Sequence, residues 1–216
     1  MFLINEQIKT QLSTAFQGLD KKIKIVLFTE IMKCQYCRET QSLYEEIADL
    51  SGKIEFISVN MSESKDLVEK YRLLEMTPVT VMLGENEKDY GIRFYGIPAG
   101  YEFTSLIETL ILLSKGNHML NPETVQFLQE LSQPVDLKVF VSTSCPYCPA
   151  QVFLSHRFAY LSDKVTSSMI EVTEFPHLGN RYGVMGVPKT VINETGTLEG
   201  AGSEEILVGK IKIALV

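Results

Sequence analysis

The chain has 216 residues, 45% of them hydrophobic, and a formal net charge of -7 at pH 7. That length holds one large core or two small ones of about 100 residues each, and an acidic chain without a basic patch argues against a nucleic-acid partner. No uninterrupted apolar run exceeds four residues, Leu110 to Leu113 being one, so no segment is predicted to span a bilayer.

The N-terminal stretch from Met1 to Ile8 has neither a basic n-region nor an apolar h-region of adequate length. No secretory leader is visible, as would also hold for a processed chain, and a cytoplasmic location is expected. A helix is predicted over 5–16 and a strand over 22–29, rich in β-branched residues and without strict alternation, as suits a strand buried on both faces. Cys34-Gln35-Tyr36-Cys37 follows, then a helix over 38–50 with Leu43, Ile47 and Leu50 at helical spacing. Next come a strand over 53–59, a short helix over 65–73 capped by Ser62-Glu63-Ser64, and a strand over 76–82 containing Pro78. A turn at 84–87, a fourth strand and a helix over 102–114 complete the first series.

After a linker at 115–120 the series repeats. A helix over 121–131 has Asn121 as N-cap and Pro122 at its first position. A strand over 135–143 leads to Cys145-Pro146-Tyr147-Cys148 and a helix over 150–161, whose start Pro149 is predicted to bend without breaking. Then follow a strand over 165–172, a short helix over 177–182, a strand over 186–192 containing Pro188, a turn at 193–196, a last strand and a helix over 203–215. The halves are predicted as domains 1–116 and 117–216.

All four cysteines lie in the two CxxC motifs, which begin 111 positions apart. Thiols three positions apart can close a small disulfide across the first turn of a helix. There the unsatisfied backbone N–H groups and the dipole favour a thiolate, the attacking species in disulfide exchange. A structural zinc site and a pair of static disulfides compete with this reading. Zinc ribbons place their knuckles about 15 to 20 residues apart, whereas each motif here opens its own helix, and His118, His156 and His177 fall at no metal-ligand spacing, so no metal is expected. Pro78 follows Cys34 by 44 positions and Pro188 follows Cys145 by 43. A proline that opens a strand is tolerated there anyway, but two at matched distances from two CxxC pairs point to a shared role.

The order helix, strand, CxxC helix, strand, helix, proline strand, strand, helix resembles the thioredoxin fold. Cys145-Pro146-Tyr147-Cys148 is similar to the glutaredoxin form of its motif. Two such units in tandem, with the segment Pro98-Ala99-Gly100 after the first proline strand, resemble the glutaredoxin-like protein disulfide oxidoreductases of archaea and some bacteria. The resemblance implies an α/β chain of two tandem thioredoxin-like domains, each a central mixed four-stranded sheet flanked by helices. It implies a thiol-disulfide oxidoreductase that reduces, forms or isomerises disulfides in protein substrates, with Cys34 and Cys145 as exposed nucleophiles and Cys37 and Cys148 resolving from deeper positions. By the same resemblance the prolines are cis, and Thr77-Pro78 and Val187-Pro188 pair with an extended substrate. Tyr36 and Tyr147 contact it or are simply half packed.

No cofactor is needed for the exchange itself, and a thioredoxin-reductase-like flavoenzyme would supply electrons. Two alternatives stand. One is a dedicated electron carrier to a peroxiredoxin, although the first half of such modules typically lacks a complete CxxC; the other is a redox-sensing binding module. The resemblance departs from thioredoxins where a buried acid precedes the first cysteine by six residues: Phe28 and Val139 stand there, leaving Glu30 and Glu171 as candidates. Pro146 in one motif and Gln35 in the other imply two unequal redox sites.

Overall fold

Alternation along the strand before each cysteine pair decides the architecture. The computed structural model describes residues 4–30, 32 and 34–216; Met1, Phe2 and Leu3, which open the stretch read for a leader, lie outside the described residues. In β1 (Ile23–Thr29), Ile23, Ile25 and Leu27 join the apolar cluster on one side of the sheet, and Val26 and Phe28 join that on the other. A strand buried on both faces needs helices on both, and the sequence supplies them in alternation.

In the first half β1 pairs in parallel with β2 (Ile54–Asn60) and antiparallel with β3 (Val79–Leu83), which pairs antiparallel with β4 (Asp89–Tyr95). The second half repeats this: β5 (Val135–Val141) lies between β6 (Val165–Glu171) and β7 (Lys189–Ile192), and β8 (Gly196–Glu199) follows β7. The two four-stranded mixed sheets run on into each other, because β4 pairs in parallel with β6. The result is one eight-stranded sheet in the order β2-β1-β3-β4-β6-β5-β7-β8.

One face carries α1 (Glu6–Phe16), α2 (Cys37–Ala48), α4 (Glu102–Lys115), α5 (Pro122–Gln129), α6 (Cys148–Leu161) and α8 (Glu204–Ala214). The other carries the short α3 (Lys65–Lys70) and α7 (Pro176–Arg181). Hydrophobic packing is therefore divided by sheet face. Two small cores, one per half, are not what forms, because each apolar cluster takes residues from both halves.

The helices begin and end within two or three residues of the predicted limits, and the differences are local chemistry. Both proline strands start three residues later than predicted, at Val79 and Lys189, each directly after its proline, which has no N–H for the ladder. Pro149 sits in the first turn of α6, where its missing donor is not needed, and the helix continues to Leu161. The capping role read for Ser62-Glu63-Ser64 is not realised: Ser64 makes no side-chain capping bond, and Ser62 Oγ donates to Asn60 Oδ1 at 2.6 Å instead. Asn121 precedes α5 without a side-chain capping bond, while Asn5 Oδ1 does accept from Ile8 N at 2.9 Å.

On the face that carries the longer helices the junction is stitched by ring contacts. Phe94 of β4 stands edge-on to His156 of α6 with ring centroids 4.9 Å apart, and His156 Nδ1 and Thr109 Oγ1 are 2.9 Å apart between α6 and α4. Tyr90 stacks on Tyr160 at 4.6 Å. After β4 the chain turns over the second half through two glycines in the left-handed region, Gly96 at φ 92° and Gly100 at φ 60°. A side chain on Gly96 would strike Glu171 and Glu174, and one on Gly100 would strike the Thr143 carbonyl, which accepts instead from Tyr101 N at 2.9 Å.

A sheet and two clusters shared by both halves imply one cooperative unfolding unit. Calorimetry is expected to show a single transition, and Phe94→Ala to cost about 3–5 kcal/mol while lowering hydrogen-exchange protection in β5 as much as in β3. Two resolved transitions would contradict this arrangement.

Two CxxC centres beside cis-proline peptides

The cysteine pairs occupy the loops at the C-terminal ends of β1 and β5. Each closes on itself as a disulfide, Cys34 to Cys37 and Cys145 to Cys148, with Cα atoms 5.5 and 5.6 Å apart. In both, the second cysteine is the first residue of a helix, α2 or α6, so the pair sits at the helix end where the unpaired N–H groups and the dipole favour a thiolate. The first cysteine is the more exposed of each pair: Cys34 is half-buried above Cys37, and Cys145 at 7% exposure lies above the fully buried Cys148. Cys145 is thus less open than the resemblance implied. Tyr36 is half-buried at the α2 N-cap, whereas Tyr147 is 70% exposed.

Both proline peptides, Thr77-Pro78 and Val187-Pro188, are cis. The carbonyl oxygen of Val187 lies 3.6 Å from Cys145 Sγ, so this peptide and the first sulfur of the pair share one patch. In the first half, Thr77 and Gln35, the residue after Cys34, line a common cavity of about 980 Å³. The sequence-predicted residues therefore fall into two groups, Cys34, Tyr36, Cys37, Thr77 and Pro78 at one end and Cys145, Tyr147, Cys148, Val187 and Pro188 at the other.

The positions six residues before the first cysteines are not equivalent. The connection from β1 to Cys34 is one residue longer than that from β5 to Cys145, so Phe28 matches Phe140 on the α3/α7 face, and Val139 matches Leu27 on the other. A one-residue offset exchanges faces. Glu30 lines the cavity near Gln35, and Glu171 is buried at the end of β6.

Two further acids look like ordinary surface carboxylates in the sequence. Glu102, in the first turn of α4 next to the Tyr101–Thr143 bond, is fully buried, and burial pushes its carboxyl up to about 7 despite the Ser105 hydroxyl that donates to it at 2.5 Å. Its Oε1 has no hydrogen-bond partner among the described residues. Glu174 takes the Ile97 N–H at 2.7 Å, and burial raises it, too, to about 7. Neither is adjacent in sequence to a cysteine; only the turn across the junction brings each to the opposite half. The one available signal was a glutamate following the glycine-rich segment that leads into α4.

A thioredoxin-domain family profile matches residues 135–212. The alkyl hydroperoxide reductase AhpF of Pseudomonas putida is 29% identical over 97% of the chain, and an NADH dehydrogenase of Bacillus subtilis is 26% identical over 95%. The chain spans 37% of the length of each of these relatives. Among solved structures, a protein disulfide oxidoreductase from Aeropyrum pernix superposes with TM-score 0.90 at 26% identity, covering 99% of this chain and 95% of that one. The NTD_N/C domain of alkylhydroperoxide reductase AhpF from Enterococcus faecalis gives TM-score 0.89 at 25% identity, over 96% and 99%. With its repeated strand order, its two CxxC disulfides and a cis-proline strand in each half, the chain is a tandem thioredoxin-fold protein, similar along its whole length to that disulfide oxidoreductase.

Proposed function

We propose that the protein is a thiol-disulfide oxidoreductase of protein substrates with two centres, one in each of two units, 1–116 and 117–216. In the reducing direction the thiolate of Cys34 or Cys145 attacks a substrate sulfur, forming a mixed disulfide and expelling the other substrate sulfur as a thiolate. The thiolate of Cys37 or Cys148 then attacks Cys34 or Cys145, releases the substrate dithiol and leaves the pair oxidised. Two electrons pass from the pair to the substrate, and an external donor restores the pair. Thr77-Pro78 and Val187-Pro188 hold the substrate backbone beside the attacked sulfur, flanked by Tyr36 and Tyr147. The 3.6 Å approach of Cys145 Sγ to the carbonyl of the Val187-Pro188 peptide carries this reading.

Exchange itself uses no bound cofactor. A thioredoxin-reductase-like flavoenzyme is the donor in the reducing direction. The likeness to the AhpF alkyl hydroperoxide reductases favours a second reading, in which the protein relays electrons to a peroxiredoxin. Among the described residues no helix is long and apolar enough to cross a membrane. A cytoplasmic location belongs to the same proposal. Proton handling at the second centre falls to Glu102, whose buried carboxyl lies in the α4 turn docked on the loop before Cys145.

Insulin reduction tests the centres. Cys34→Ser and Cys145→Ser are each expected to leave partial turnover, and the double variant to lose it by on the order of a hundredfold or more; full activity in the double variant refutes the assignment. Faster transfer to a peroxiredoxin than to insulin selects the relay reading.

Glu102 has a second signature. Its folded carboxyl binds a proton up to about pH 7, whereas the unfolded one releases it near the ordinary glutamate value of 4.5. Through this group, stability falls as pH rises across that window. Glu102→Gln is expected to flatten the slope, gaining about 1–3 kcal/mol at pH 8 relative to pH 4.5, and to remove the inflection near pH 7 from the rate of the second centre. Unchanged melting and rate profiles would exclude the role.

A further inference from the structure

The two centres are built alike but do not have the same walls. In each half the N–H of a glycine after the last strand bonds the cis-proline carbonyl: Gly96 N to Pro78 O at 2.9 Å and Gly200 N to Pro188 O at 2.8 Å. At Gly200 a side chain would meet open space, since β8 is the sheet edge. At Gly96 it would run into Glu171 and Glu174 of the second half. Chain order alone creates the difference, because only the first unit has another unit packed beyond its last strand.

That neighbour reaches the first centre. Glu174, Phe175 and His177 line the same cavity of about 980 Å³ as Gln35 and Thr77. The segment is held in place: Glu174 Oε1 accepts the Ile97 N–H, Glu171 Oε2 accepts the Glu174 N–H at 2.7 Å, and Phe175 stands edge-on to Tyr95 with centroids 6.5 Å apart. The cavity is acidic on balance, with Glu30, Glu69, Glu75 and Glu174 set against Lys65 and Arg72.

We propose that substrates of the Cys34–Cys37 centre lie across the junction of the two halves, and that Glu174 and its neighbours select polypeptide disulfides with a lysine or arginine beside the reactive cysteine. The second centre, with an open edge in the corresponding place, lacks this selection. The inference rests on the dithiol chemistry proposed for both centres and adds the substrate class of the first.

The test uses the full chain with one centre removed at a time. Cys145→Ser/Cys148→Ser leaves the first centre and Cys34→Ser/Cys37→Ser the second. The probes are two fluorescence-quenched peptide disulfides, identical except for Arg or Glu beside the cysteine. At pH 8.5, where Glu174, raised to about 7, is ionised, the first centre is expected to favour the Arg peptide about fivefold in kcat/KM at low ionic strength, with the ratio shrinking as salt is added. Glu174→Gln keeps an acceptor for Ile97 N–H but removes the charge, and is expected to bring that ratio down toward one while leaving the second centre unchanged. Glu75→Gln, at an exposed position on the cavity rim, should lower it in the same direction. Equal rates for the two peptides at the first centre, or a Glu174→Gln effect of the same size at both centres, would overturn the proposal. Failure of the first centre to reduce either peptide would instead remove the dithiol reading beneath it.

Discussion

Four residues of β4 pair with four of β6, and everything particular to this protein follows from that parallel ladder. Without it the halves would be two small units, each with an exposed edge strand and too little apolar surface to bury well. With it, backbone bonds that would face water are satisfied in a continuous sheet, and each apolar cluster extends over both halves. The turn after β4 must then cross the second unit at close range. Gly96 and Gly100 are there because any side chain would collide with Glu174 or with the Thr143 carbonyl.

Joining the units in this translated order makes the redox centres unequal. The loop before Cys145 receives the N-terminus of α4 with the buried Glu102 from the first unit, and the cavity at Gln35 and Thr77 receives Glu174 and Phe175 from the second. Each centre thus borrows surroundings from the other half, but different ones. The motifs differ as well: Pro146 restricts the backbone at the start of α6, whereas Gln35 leaves that position free. Burial, local charge and hydrogen bonding set a dithiol's potential, so two such environments favour two different values.

Local signals in the sequence carried most of the fold. Apolar strand runs before Cys34 and Cys145, glycine-free helical spacing after them, and Pro78 and Pro188 at matched distances suffice to place both CxxC centres and both proline peptides. What was not legible depends on pairing between distant segments. No local pattern states that β4 will meet β6, so the continuous sheet and the face-wise division of packing do not show in the sequence. Glu102 and Glu174 look like ordinary surface carboxylates until the junction buries them. Counting six residues back from each cysteine misleads for a related reason: the loop before Cys34 is longer by one residue, which sends Phe28 and Val139 to opposite faces.

One continuous sheet is expected to carry two dithiol centres that are chemically distinct. The reduction potential of each centre, measured in the Cys145→Ser/Cys148→Ser and Cys34→Ser/Cys37→Ser variants against glutathione or dithiothreitol buffers, tests it most directly. Two reversible two-electron couples separated by at least about 30 mV, a difference of roughly 1.4 kcal/mol, are expected. A single shared potential, or a centre that cannot be reduced in the folded protein, would contradict it.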